Sequence, residues 1–173
     1  MTTYVLGGGC FWCLDAIYRR VSGVSSVTSG YAGGHDETPN YYRVVSGLTG
    51  HAEVVEIVFD ETIIPPEVIL DIYLLSHDPT SLNRQGADVG DQYRSIMLYK
   101  NDGQKLEFES AIKRSADLFD EPIVTVIQKL DNFYPAEDEH QDYFNKNPAT
   151  GYCSVVIAPK LTKVRSQYRQ WLK

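Results

Sequence analysis

The segment Gly9-Cys10-Phe11-Trp12-Cys13 carries the residue types most suited to chemistry in this chain. Cys10 falls between a glycine turn and a helix start, where free backbone N–H groups and the positive end of the helix dipole favour a thiolate. A thiolate there is a better nucleophile at neutral pH than an ordinary cysteine. Cys13 lies one helical turn further on, within disulfide reach of Cys10. The pair reads either as redox-active thiols or as two small buried residues, and the neighbouring aromatics and glycine turn favour the first. No zinc site is expected, because a lone Cys-x-x-Cys lacks the second paired half that structural sites show. The third thiol, Cys153, sits in the turn-rich stretch Asn147-Pro148-Ala149-Thr150-Gly151-Tyr152. It reads as a mobile thiol able to visit another cysteine at least as readily as a core one.

Among the acids, Glu53 opens the most hydrophobic strand of the sequence, in Gly50-His51-Ala52-Glu53-Val54-Val55. It is either a solvated strand end or a carboxyl that burial pushes toward its neutral, proton-donating form. Spacing alone favours the solvated reading. Asp88, Tyr93 and Tyr42 lie in polar, glycine-rich loops, where aspartates cap turns and tyrosines turn the hydroxyl to water. The four histidines, His35, His51, His77 and His140, fall in no metal-ligand spacing.

The elements that must position these residues follow from the apolar periodicity. Residues 3–6 read as a strand, 11–21 as a helix and 24–28 as a strand, followed by a long polar and aromatic loop. Residues 53–59 form the clearest strand, and Pro65-Pro66 opens a helix to about residue 75. A second loop spans 77–92, a strand 94–99, a helix 104–118 and a strand 123–128. Residues 135–145 read as a helix with Glu137, Asp138 and Glu139 in its first turn. A last strand at 152–157 and a basic helix at 161–172 close the chain. The order β-α-β-β-α-β up to residue 99 predicts an α+β fold. It is a two-layer sandwich with a ferredoxin-like (split βαβ) mixed-sheet core and a C-terminal extension.

Composition limits the partners. The chain has 173 residues, 16 Lys+Arg against 23 Asp+Glu, and a formal charge of −7, so no basic run invites nucleic acid. No apolar stretch approaches the roughly 20 residues that span a bilayer. The first residues read as the opening strand and not as a signal peptide. No linker divides residues 1–173, which are expected to form one catalytic domain. Three cysteines, an odd and small number, point to a reducing, cytoplasmic setting.

Taken together, the segments closely resemble the A-type peptide-methionine sulfoxide reductases. The matching pieces are Gly9-Cys10-Phe11-Trp12, Gly30-Tyr31-Ala32-Gly33-Gly34, Tyr42-Arg43, Gly50-His51-Ala52-Glu53, His77-Asp78-Pro79-Thr80, Arg84-Gln85-Gly86, Asp88, Gln92-Tyr93-Arg94-Ser95, Ala136-Glu137-Asp138 with His140-Gln141, and Gly151-Tyr152-Cys153. They run in family order over nearly the whole chain. The resemblance implies reduction of the S epimer of methionine sulfoxide, peptide-bound or free, to methionine. It makes Cys10 the nucleophile, Glu53 the acid, and Phe11 and Trp12 the apolar wall that holds the substrate methyl. Tyr42 and Tyr93 become hydrogen-bond donors to the sulfoxide oxygen, and Asp88 the support of the polar side. A sulfenic acid on Cys10 would condense with Cys13 or Cys153, and thioredoxin would reduce the disulfide. No metal or organic cofactor is implied, and a monomer is expected. Cys13 stands where many members have glycine, and Asp15 where glutamate is frequent. The competing reading is a thiol–disulfide oxidoreductase using Cys10 and Cys13, which leaves Cys153 and Glu53 without a role.

Overall fold

A computed structural model describes residues 1–173. Its elements in chain order are β1 (Thr2–Gly7), α1 (Phe11–Tyr18), β2 (Val24–Ala32), α2 (Tyr41–Val45), β3 (Ala52–Phe59), α3 (Pro66–Ser76), β4 (Arg84–Gln85), β5 (Asp88–Val89), β6 (Ile96–Tyr99), α4 (Asp102–Ser115), β7 (Val126–Lys129), β8 (Phe133–Pro135), α5 (Tyr143–Lys146) and α6 (Ala158–Tyr168). The main sheet has the order β7-β6-β1-β3-β2-β8, antiparallel except for the parallel β6–β7 pair. Strands β6-β1-β3-β2 are the split βαβ core, and β7 and β8 extend its two edges. The predicted α+β class and its ferredoxin-like centre are present. No helix is long and apolar enough to cross a membrane.

The period of two along each strand divides the side chains between the faces. Tyr4 and Leu6 of β1, and Val55, Ile57 and Phe59 of β3, join α1, α3 and α4 in the larger core. Val5, Ala52, Val54, Ile96 and Leu98 pack in a smaller cluster on the other face. Helix α4 is sorted the same way at its own period: Gln104, Phe108, Ala111 and Ser115 are buried, and the Asn101 side chain caps its start by accepting from the Gln104 N–H at 2.9 Å. Asp15 is fully buried in α1 and paired to Arg19 at 2.8 Å, yet its Oδ2 has no partner. Burial outweighs Arg19 and pushes its carboxyl up to about 6.

Two expectations for the C-terminal third fail. Residues 152–157 are not a strand: they form a π turn, Cys153–Ile157, that runs directly into α6. The β-branched run Val155-Val156-Ile157 suggests a strand locally, but the buried set Cys153, Ile157, Leu161 and Val164 has helical spacing, and burial decides. Pro159, without an N–H and crowding the carbonyl four residues back, accounts for the widened turn ahead of it. Residues 135–145 are not one helix either. Phe133–Pro135 pairs with β2, a 3₁₀ turn covers Asp138–His140, and Asp142 at φ 52° separates that turn from α5. The Gln141 side chain takes over the pairing, accepting from Ser29 N and donating to Ser29 O, both at 2.9 Å.

Candidate active site

The site begins where β1 meets α1. Gly9 has φ +86°, a left-handed conformation that L side chains rarely adopt, and a Cβ on Gly8 would lie 2.7 Å from the His77 ring. The glycines therefore let the backbone turn sharply over His77 and place Cys10 at the N-cap of α1. Beneath the turn, Tyr73 Oη donates to Gly7 O at 2.7 Å. His77 bridges Tyr73 O and Ser95 Oγ, both at 2.7 Å. Burial pushes His77 down to about 4, so this bracket stays neutral and structural.

Glu53 is 1 % exposed, so the solvated reading fails. Its parity with Val55, Ile57 and Phe59 turns it to the helical face of β3, directly under the start of α1. There Glu53 Oε1 accepts from the Phe11 N–H at 3.1 Å, and the Cys10 thiol lies against the same carboxyl. Burial, with Asp88 nearby, pushes the Glu53 carboxyl up to about 8. At neutral pH it is a carboxylic acid, able to donate.

Cys10 departs from expectation. Its thiol is pushed well above the ordinary range, by burial first, then by Glu53 and Cys13; the Trp12 N–H and Tyr152 lower it only in part. The helix N-terminus does not outweigh burial, and Cys10 rests as a thiol.

The aromatic wall is layered. Trp12 stacks on Tyr143 with centroids 3.6 Å apart and planes 5° apart, and Phe11 tilts against Tyr31 at 5.7 Å. Tyr93 borders Glu53 and Cys10, and burial with those neighbours raises its phenol. Asp88 accepts from Tyr152 Oη at 2.8 Å, and the same hydroxyl lies 3.8 Å from Cys13 Sγ. Tyr152 also turns its ring edge to Trp12, at 5.6 Å. A cavity of about 720 Å³ reaches this group at Asp88 and Tyr152, without including Cys10 in its lining.

Tyr42 is not in the group. It is 80 % exposed, whereas Tyr41 packs against the core and borders Glu53 and Cys10, with its phenol pushed up to about 12. The reason is helical rotation: α2 buries Val44, and Tyr41, three residues before it, shares that face, while Tyr42 is turned about 100° away. Tyr41 N also donates to Glu137 Oε2 at 3.1 Å, which anchors α2 to the site. We expect Tyr41→Phe to lower kcat/KM for a sulfoxide substrate by roughly ten- to a hundredfold, through loss of a hydrogen bond to the developing oxyanion. Tyr42→Phe should leave kcat/KM within twofold; equal losses in the two variants would reverse the assignment.

Cys153 is also placed differently from the mobile thiol expected. It is 0 % exposed, in the main core, with its N–H bonded to Thr150 Oγ1 at 3.3 Å. Cys13 is buried one turn along α1 from Cys10, and all three thiols are free.

A buried thiol against a neutral carboxylic acid, walled by aromatic rings, is the core of the site. Residues 2–172 match the family model described as peptide methionine sulfoxide reductase. The chain belongs to this family. It is similar to peptide methionine sulfoxide reductase MsrA of Pseudarthrobacter chlorophenolicus, with 59 % identity over 172 residues, covering 99 % of each chain. Among solved structures it is similar to reduced Mxr1 from Saccharomyces cerevisiae, with a TM-score of 0.81 and 33 % identity over 88 % of each chain. Mxr1 in complex with Trx2 shares the fold, with a TM-score of 0.57 and 24 % identity over 82 % of this chain and 84 % of that one. As a member of the family the protein is an oxidoreductase.

The sequence reading gave no site role to Tyr41, Tyr152 and Tyr143, and noted His140 only as outside any metal-ligand spacing. Only Tyr152 could have been suspected, from its place beside Cys153; the other three reach the site from α2, α5 and a 3₁₀ turn that no local pattern ties to α1.

Proposed function

We propose that Cys10 reduces the S epimer of methionine sulfoxide, with Glu53 as the acid. Glu53 hydrogen-bonds the sulfoxide oxygen and protonates it, which makes the sulfur more electrophilic. The Cys10 proton passes to the carboxylate left behind, and the thiolate sulfur attacks the substrate sulfur, forming a transient S–S bond. The protonated oxygen then moves to the Cys10 sulfur as the substrate S–O bond and the S–S bond break, which leaves sulfenic acid on Cys10 and releases methionine. Tyr41 and Tyr93 donate to the oxygen as charge develops, Asp88 and Tyr152 hold the polar side, and Phe11 and Trp12 enclose the methyl group. The observation that carries this reading is the Glu53 carboxyl, buried and neutral beside the Cys10 thiol. Residues 1–173 act as one catalytic unit, in a reducing cytoplasmic setting.

The sulfenic acid condenses with a second thiol, releasing water and leaving a disulfide that thioredoxin reduces. Cys13 reacts first in this reading, because it lies one turn from Cys10, whereas Cys153 must leave the core. Exchange then carries the disulfide to Cys153, for which the π turn supplies the weak point in the helix.

Reduced protein mixed with each epimer of N-acetyl-methionine sulfoxide, without added reductant, tests the scheme. Expected are about one methionine and two lost thiols per chain, with the S epimer only. Methionine from neither epimer would return Cys10 and Cys13 to disulfide exchange. Rapid quenching should trap Cys10–Cys13 before any disulfide of Cys153; a first-formed Cys10–Cys153 bond would reverse the order.

A further inference from the structure

His140 is buried at the end of the 3₁₀ turn Asp138–His140, and it touches most of the substrate wall. The Trp12 indole Nε1–H donates to His140 Nδ1 at 3.2 Å. Tyr41 stacks on the imidazole with centroids 4.4 Å apart and planes at 27°, and Phe11 lies at 5.6 Å. One ring therefore spaces the residues that would hold the substrate methyl and one that would meet the sulfoxide oxygen. Because Nδ1 accepts, the ring proton belongs on Nε2, and only the neutral imidazole fits.

We propose that neutral His140 is a positioning residue that sets the Trp12 indole and the Tyr41 phenol, and that its protonation releases the indole and weakens substrate binding. The substrate part of this inference rests on the function proposed above. Protonation puts a hydrogen on Nδ1 facing the indole N–H, so two donors meet at a distance set for one hydrogen bond. The titratable groups facing the ring are Glu137 and Glu139 on its own turn and the phenol of Tyr41 on α2. From α1 it meets the rings of Phe11 and Trp12, with Tyr143 of α5 behind the indole. Burial favours the neutral ring more than the two glutamates favour the charged one, so the imidazole stays neutral to lower pH than usual. Glu137, Glu139 and His140 bring one ligand atom each within 4.8 Å of one another. Two of the three are engaged otherwise: Glu137 accepts from Tyr31 Oη and Tyr41 N, and His140 Nδ1 from Trp12.

Two substitutions separate ring from acceptor. His140→Asn places an amide oxygen near the Nδ1 position and cannot titrate, whereas His140→Phe keeps the stacking surface and removes the acceptor. Steady-state kinetics on the S epimer of N-acetyl-methionine sulfoxide, with dithiothreitol as reductant, would be followed from pH 5 to 8. The wild type should show KM rising toward acid pH more steeply than kcat falls. H140F should show KM raised about tenfold at every pH, as expected for a lost hydrogen bond that orders the site. H140N should recover most of KM at pH 7 and lose its acid rise. A readout independent of turnover uses Trp171→Phe, which leaves Trp12 as the sole tryptophan. Its emission should shift between pH 7 and 5, and the shift should vanish when H140N is added. Wild-type KM in H140F, or an unchanged emission transition in H140N, would overturn the proposal. Should H140F fail to fold, H140N and the emission transition decide it. Absent turnover in every protein, with the emission transition intact, would refute the proposed reaction and leave the His140–Trp12 coupling standing.

Discussion

Glu53→Gln should lower kcat/KM for methionine sulfoxide by about 10²- to 10⁴-fold, the usual yield of a positioned general acid, and should also make the protein more stable. The amide retains a carbonyl to accept from Phe11 N, donates a hydrogen bond and cannot give up a proton. Free in the unfolded chain, the Glu53 carboxyl loses its proton near its ordinary value of 4.5, while in the folded chain it holds it to about 8. Between those values the folded chain binds the extra proton, so Glu53 makes stability fall as pH rises, and the loss levels off above about 8. At pH 7 the penalty is on the order of 3 kcal/mol, and glutamine removes it. For a chain of this size that raises Tm by roughly 5–10 °C. Thermal unfolding of both proteins at pH 5, 7 and 9 measures it: the gain should be small at pH 5 and near its full size at pH 7. The alkaline limb of kcat/KM near pH 8 should belong to Glu53 and be absent in the variant. An activity within threefold of wild type, or a Tm gain independent of pH, would remove Glu53 from the acid role.

Cys10→Ser should abolish turnover, by more than about 10⁴-fold in kcat, because a hydroxyl has neither the nucleophilicity nor the oxidation chemistry of a thiol. Sulfur can accept the substrate's oxygen and then surrender it to a second thiol; a serine oxygen can do neither. Cys10 is buried and makes no cap hydrogen bond through its side chain, so the near-isosteric change should move Tm by only a few degrees. Mixed with the S epimer, the variant should form no methionine and lose no thiols, although Cys13 and Cys153 remain. Methionine formation by Cys10→Ser would mean that another thiol is the nucleophile, and Cys13 would be the first to suspect.

These two residues also mark how far the sequence reaches. The position of Cys10 followed from three glycines and a helical period, both local, and the folded chain has both the turn and α1. The split βαβ order was equally legible, since strand alternation and helix spacing are properties of short windows. What a window does not contain is the environment. Cys10 in a local view sits at a helix dipole and should be acidic; in the folded chain it is buried against Glu53 and Cys13, and desolvation dominates. Glu53 in a local view is a strand end; register with β2 and the packing of α1 make it the most consequential buried acid of the chain.

The same reason explains the tyrosines and the C-terminal segment. Tyr41 and Tyr42 are adjacent, with equal composition and equal propensity, and only the orientation of α2 against the core separates the one that faces Glu53 from the one that faces water. Residues 152–157 have the branched side chains of a strand, but the hydrophobic face they complete belongs to α6, so they coil. Residue types and short-range spacing determined which chemistry this protein could perform and which elements would present it. Burial, and the contacts of α1 with β3, α2 and the Asp138–His140 turn, decided which groups are charged, which ring faces the nucleophile and which thiol is near, because desolvation and long-range packing depend on residues far apart in the chain.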